Sequence, residues 1–204
     1  LAFCLGLILV VVAGAELFTG NNLIVMAWAR RKVSTMALLR NWLIVYIGNF
    51  VGALATLGIM LVARQHEFVH GEVGRRAVAI AEHKVSLDFG QAIALGALCN
   101  ALVCLAVWLC FSARTTTDKI LAILFPITAF VACGFEHSVA NMYFVPAGIA
   151  IGGATDNLPD GLTWLAFLKD NLLPVTIGNI LGGSVLVGAV YWLVYLRGRT
   201  DETA

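Results

Sequence analysis

Of the 204 residues, 60% are hydrophobic and only 12% are charged, with a formal net charge of +1 and a mean hydropathy of +0.91. A soluble domain carries about 25% charged residues, so this composition argues against one, and no basic patch with interleaved aromatics points to nucleic acid. The charges are also segregated: segments 41–63, 89–113 and 171–196 contain no Asp, Glu, Lys or Arg, and each exceeds the ~20 residues that cross a bilayer.

In chain order, the first expected membrane element runs from Leu1 to about Trp28 and is interrupted at Glu16 to Asn22. It is followed by the basic cluster Arg30, Arg31 and Lys32. The chain opens inside this apolar element without Met, so a helix is expected upstream of Leu1. The second element is Asn41 to Ala63, and about Arg64 to Leu87 reads as a polar loop holding His66, His70 and His83. The third element is Asp88 to Phe111. The fourth, Ile120 to about Ile151, is interrupted at Gly134 to Asn141. The turn-rich segment GGATDNLPDG precedes the last element, Asn171 to Leu196. Cys4, Cys99, Cys104, Cys110 and Cys133 sit in or beside apolar stretches without C-x-x-C spacing. They read as packing residues, with neither disulfide nor metal site expected. Haem-carrying helices need histidine pairs, and only His137 lies within an element.

Alternating helices sort the loops into two sets. One holds eight basic residues (Arg30, Arg31, Lys32, Arg40, Arg114, Lys119, Arg197 and Arg199) against Asp118, Asp201 and Glu202. The other holds five basic residues against seven acidic ones. The positive-inside rule places the first set in the cytoplasm.

The chain repeats itself. Asn41, Leu43, Val45, Ile47, Gly48, Asn49 and Gly52 recur 130 positions later as Asn171, Leu173, Val175, Ile177, Gly178, Asn179 and Gly182. Gly14, Glu16 and Asn21 recur 120 positions later as Gly134, Glu136 and Asn141. Three membrane elements separate equivalent positions, an odd number, so the units are expected to have opposite orientations. The expected architecture is one all-α channel domain over 1–204, with repeat one at 1–63 and repeat two at 88–197.

Ionisable groups are costly in a membrane, by about 2.5–3.5 kcal/mol or more at its centre. Glu16, Glu136 and His137 are placed there, all at the two interruptions. A helix broken at mid-bilayer is tolerated only inside protein or beside water, and the N-terminal end of a half-helix favours an anion. His137 is therefore expected to be the polar centre of a pore. Glu16 and Glu136 are expected to bond the free N–H groups of the breaks, with Asn141 as a further support. Asn100 and Asn179 need hydrogen-bond partners and either steady the site or join helices. Lys84, placed outside the third element, either attracts anions or is a solvated loop charge. Gly20 beside Asn21 and Asn22 makes the first break the more adaptable one.

The segments GAELFTGNNLIV, EHKV, GFEHSVANMYFVPAGI and NLLPVTIGNILGG closely resemble the formate–nitrite transporter family. The resemblance covers essentially the whole chain. It implies an aquaporin-like inverted-repeat bundle in a bacterial inner-membrane homopentamer, one pore per protomer, with the family's first helix absent from this chain. It implies no enzyme and no cofactor. Carried over by motif, Leu17, Phe18 and Thr19 fall in a gating loop. Phe3 and Leu7 form the cytoplasmic constriction with Phe130 opposite, and Val103 lies near the periplasmic one. Lys84, Glu136, His137, Asn100 and Asn179 lie along the anion path. The family's usual Ser-Thr after the loop threonine is Gly20-Asn21 here.

A bare anion crossing an apolar constriction meets an idealised penalty of order 20 kcal/mol. Protonating a carboxylate of pKa about 3.9 at pH 7 costs only ~4 kcal/mol. The expected function is thus a passive or pH-gated channel for formate and related small monovalent anions, with His137 donating a proton or a strong hydrogen bond. The alternative is a proton-coupled transporter of nitrite or hydrosulfide. A neutral-solute pore is disfavoured by the apolar constrictions, and a non-transporting subunit is distinguished by measuring anion flux.

Overall fold

The computed structural model describes residues 2–197. Leu1, together with Arg199, Asp201 and Glu202 of the charge count, lies outside them. The described chain is built from helices: α1 Cys4–Ala13, α2 Val25–Ala29, α3 Thr35–Val62, α4 Glu72–Val85, α5 Phe89–Ser112, α6 Thr116–Ala132, α7 Ser138–Ala154 and α8 Trp164–Leu196. Helices α3, α5 and α8 are long and apolar enough to cross a membrane. Their many exposed large apolar side chains, such as Leu43, Ile44, Ile47 and Val51 on α3, suit contact with lipid or another helix.

Both expected interruptions are present. Helix α1 ends on Gly14 at φ +78°, and α6 is followed by Gly134 at φ +66°. These left-handed conformations are cheap only for glycine and end helices by returning an N–H to a preceding carbonyl. Gly14 donates to Val10 at 3.2 Å and Gly134 to Val131 at 3.1 Å. After the first break a 3-10 turn, Gly20–Ile24, leads into α2. After the second, α7 begins directly at Ser138, so Ser138 to Asn141 are helical rather than part of the break.

Four boundary expectations need correction. Helix α3 begins at Thr35 rather than Asn41, capped by Ser34 and taking in Arg40, and α6 begins at Thr116 rather than Ile120, capped by Thr115. Helix α8 begins at Trp164 rather than Asn171, because Lys169 and Asp170 are carried inside a helix whose entry is capped by Thr163, which accepts from the Ala166 N–H at 3.1 Å. The expected polar loop of 64–87 contains α4. Its Val78 and Ala81 are buried and pack on α7, where a side chain at Gly148 would collide with Ala81. Charged residues on the opposite face hid this helical period.

Helix α5 packs along α8 and α6. A Cβ at Gly178 would strike the Ile93 carbonyl, and one at Gly182 the Ala97 carbonyl, so small residues bring the two backbones together. The counterparts Gly48 and Gly52 on α3 have nothing within 4 Å of such a Cβ. The notch that α5 fills in the second unit is unfilled in the first. Tyr46 and Thr176, equivalent under the 130-residue offset, hydrogen-bond to each other at 2.8 Å.

Gly182→Ala is expected to destabilise the protein by about 1–3 kcal/mol, the usual cost of overpacking. The obstacle is fixed backbone that cannot swing aside. Thermal unfolding in detergent would register this as a lower transition temperature; an unchanged transition would refute the close contact.

Candidate functional site

A helix break within a membrane strands backbone N–H and C=O groups that the surrounding lipid cannot satisfy. Both breaks solve this with an asparagine from a neighbouring long helix. Asn49 on α3 donates to the Glu16 carbonyl and accepts from the Phe18 N–H, both at 3.0 Å. Asn179 on α8 donates to the Glu136 carbonyl at 3.0 Å and accepts from the Ser138 N–H at 2.9 Å. The two clamps are equivalent residue by residue under the sequence repeat. Glu16 and Glu136 were expected to bond these N–H groups. A carboxylate only accepts, whereas a carboxamide meets both a carbonyl and an N–H.

The carboxylates take part in a second duplicated set of bonds. Asn21 donates to the Glu16 carboxylate and to Asn41 at 2.9 Å. Asn141 donates to the Glu136 carboxylate and to Asn171, both at 2.7 Å. The second copy has additions: Asn171 also donates to the Glu136 carboxylate at 3.3 Å and to the Lys84 carbonyl at 2.8 Å, and Lys84 Nζ lies 2.7 Å from Glu136 Oε1. The side chains of this pair are 14% and 4% exposed, so Lys84 is not a solvated loop charge. It also lies 5.9 Å from the Phe144 ring centroid.

His137 caps α7. Its Nδ1 accepts from the Ala140 N–H at 3.1 Å, and its Nε2 lies 3.0 Å from Thr19 Oγ1. With Nδ1 accepting, the proton of the neutral ring sits on Nε2 and points at Thr19. The Phe130 ring stacks on the imidazole at 5.9 Å between centroids, and Phe3 meets it edge-on at 6.3 Å. His137 lies on the wall of a cavity of about 180 Å³ shared with Phe3, Leu7, Leu17, Val103 and Phe130. The proposed constriction residues thus gather around it, with one correction. Phe18 turns away to pack on Tyr46 at 4.8 Å and Trp42 at 6.1 Å, where the chain turns at Phe18 and Thr19 into the 3-10 segment.

Asn100 touches neither cavity. It donates to the carbonyls of Asn179 at 2.7 Å and Thr19 at 3.2 Å and to the Asn22 side chain at 2.9 Å, tying α5 and α8 to the first break. A second cavity of about 520 Å³ shares Phe3, Phe130 and His137 with the first and adds Lys84 and Glu136. Arg76 and His83 also line it, and the sequence reading missed both. Their spacing of seven and eight from Arg76 to His83 and Lys84 puts the three on one side of α4, a signal visible only once α4 is taken as a helix. Arg76 and Arg75 donate to Glu72, and these bonds, Arg75's first, hold the Glu72 carboxyl below its ordinary range.

Residues 1–193 match the family model described as formate/nitrite transporter. The formate channel FocA of Escherichia coli strain K12 is 46% identical over 209 residues, covering 97% of this chain and 73% of that protein. A probable formate transporter of Methanothermobacter thermautotrophicus is 43% identical, covering 96% and 73% respectively. Among solved structures, a pentameric formate channel with formate bound superposes with a TM-score of 0.87 at 47% identity, covering 96% of this chain and 81% of that one. An FNT family ion channel superposes with a TM-score of 0.77 at 34% identity, covering 94% and 74%.

Removing one member of a buried ion pair strands the other charge. Lys84→Met is therefore expected to cost about 3–5 kcal/mol of stability, and adding Glu136→Gln to recover much of it. Thermal melts of both variants test this, and a double variant no more stable than the single one would contradict the pairing.

Proposed function

The chain belongs to the formate/nitrite transporter family, and we propose that it conducts formate and related small monovalent anions across the bacterial inner membrane as a homopentamer with one pore per protomer. The observation that carries this reading is the His137 imidazole, held with Nε2 toward Thr19 at 3.0 Å beside a cavity whose wall includes Phe3, Leu7, Leu17, Val103 and Phe130. An apolar chamber with a single oriented donor suits a small carboxylate that has shed most of its water. The Nε2–H bonds the carboxylate directly, or the doubly protonated ring passes its Nε2 proton to the carboxylate so that the neutral acid crosses the apolar ring, the route with the smaller penalty.

Geometry also limits how His137 takes a second proton. Imidazolium carries N–H on both nitrogens, so Nδ1 then faces the Ala140 N–H and the cap on α7 must open. Release of the Nε2 proton to the anion leaves a proton on Nδ1, so the cap closes only when that proton leaves and Nε2 regains one; donor turnover and the cap are coupled in this reading. That coupling supports proton-linked uptake, of nitrite or hydrosulfide as well as formate, as the second reading of the same site.

Equivalent clamps at both breaks and the Tyr46–Thr176 contact support two units, 1–63 and 88–197, related by a two-fold axis in the membrane plane. The open notch at Gly48 and Gly52 supports a further helix against α3, the first-unit counterpart of α5. Thr19 sits on the first break, whose Gly20 and Asn21 allow several backbone arrangements. Its displacement from His137 is the gating movement in this reading.

Formate flux into liposomes containing the purified protein tests the proposal. His137→Ala is expected to retain pentamer assembly, lose most of the flux that rises with an inward proton gradient, and flatten the pH profile. An unaltered pH profile in that variant would end the proton-donor role. Flux persisting without a proton gradient identifies a channel, and strict dependence on one identifies the coupled transporter.

A further inference from the structure

Two sets of ionic groups on α4 lie along the cavity of about 520 Å³ beside the chamber, and only one of them carries surplus charge. Lys84 and Glu136 pair at 2.7 Å, so their charges cancel inside the fold. At the start of α4, Glu72 is shared by two arginines, Arg75 at 2.9 Å and Arg76 at 3.0 Å. Two cations on one carboxylate leave one positive charge over. Arg76 is the arginine that lines the cavity together with His83, Lys84 and His137. Arg75 lines a different cavity, with His66 and Asn157. We propose that Arg76 is the outer capture and specificity residue of the anion path, taking a small carboxylate on its free guanidinium edge, and that Glu72 tempers its charge. The inference rests on the anion-conduction reading above and assigns a residue at the mouth of that same site.

The placement follows from the helix. Arg76, Ile80, His83 and Lys84 stand at i, i+4, i+7 and i+8, so one face of α4 presents them to the cavity. At 1.5 Å per residue, Arg76 lies ~12 Å along the axis from Lys84. The Lys84 end meets the second break through Glu136. The other end lies beside the end of α3, where a Cβ at Gly74 would meet the His66 carbonyl at 3.0 Å. Arg76 therefore stands on the outer side of the buried pair.

The Arg76 side chain is 78% exposed. Its Nε donates to Glu72 Oε1 at 3.0 Å, and its two terminal amino groups make no hydrogen bond among the described residues. The edge they form is the geometry that a carboxylate meets with two parallel hydrogen bonds. An exposed ion pair such as Arg76–Glu72 is weak, so Glu72 lowers the local charge without blocking that edge. A unit charge about 4 Å from an anion in water changes its affinity about fivefold. The competing explanation is that the pair only braces α4. Arg76→Gln and Glu72→Gln break the same bond, so a brace gives both variants the same sign of effect. Capture gives them opposite signs, because one removes the cation and the other removes its counter-charge.

Formate uptake into right-side-out membrane vesicles tests this at about 20 mM and about 500 mM of an impermeant salt, where the Debye length falls from roughly 20 Å to roughly 4 Å. At low salt, Arg76→Gln is expected to raise the half-saturation concentration about three- to fivefold, and Glu72→Gln to lower it by a similar factor. Arg76→Lys keeps the cation and should stay within about twofold of wild type. The maximal rate should change less than the half-saturation, and high salt should bring the four proteins together. Wild-type half-saturation in Arg76→Gln at low salt overturns the proposal. So does a shift of the same sign in Arg76→Gln and Glu72→Gln, or a shift that survives high salt; each of these, with flux present, leaves the conduction reading standing. Absence of formate flux in wild type overturns the conduction reading and this proposal together.

Discussion

The site exists because two asparagines complete two broken helices. A bare break inside a bilayer leaves backbone groups that each cost several kcal/mol unpaired, and lipid offers them no partner. Asn49 and Asn179 each reach across from a long helix and meet a carbonyl and an N–H two residues apart. Asn179 also donates to the Gly96 carbonyl at 2.8 Å, and this places the clamp where α5 and α8 approach through Gly178 and Gly182. Close packing of small residues, satisfied backbone and an open interior chamber are thus one arrangement. Loosening the helix contact moves the asparagine, and moving the asparagine strands the break.

Holding the second break this way leaves His137 in an unusual position. Its backbone lies outside the helix, and its ring caps the first turn of α7 through Nδ1. One nitrogen is committed to the fold, so only the other is available for chemistry. The cap therefore selects the tautomer, and the Phe3 and Phe130 rings select the orientation. No further side chain is needed to aim the donor, which fits the largely apolar lining of the chamber.

Much of this was legible from residues alone, and the exceptions have physical causes. Charge-free stretches long enough to span a bilayer located α3, α5 and α8. Glycine, carboxylate and asparagine recurring at fixed offsets located both breaks. Helix α4 was missed because its charged face dominates the composition, and its burial on α7 depends on Gly148, far away in sequence. With α4 missed, the pairing of Lys84 with Glu136 was also hidden, along with the placing of Arg76 and His83. Asn49 stood in the recognised repeat, yet its role is a tertiary contact with a backbone 33 residues away. No periodicity reports such a contact. The direction of Phe18 depended on where extended chain gives way to a turn, a boundary that local propensity leaves open by a residue or two.

The duplicated scheme also shows where function must come from. Residues that hold the breaks are the same in both units: Gly14 and Gly134, Glu16 and Glu136, Asn21 and Asn141, Asn49 and Asn179. Residues that face the chamber are not. Leu17 and His137 are equivalent in the repeat, and both line the cavity. Thr19 is equivalent to Val139; one meets His137 Nε2 and the other is part of the cavity wall. A perfectly symmetric pair of breaks would offer either two apolar walls or two imidazoles. The first gives an anion no partner, and the second holds it twice over and slows its release. Keeping the scaffold duplicated while the lining diverges gives one donor opposite one apolar wall. Under the proposed function, that arrangement suits permeation: enough attraction for an anion to enter and too little to retain it.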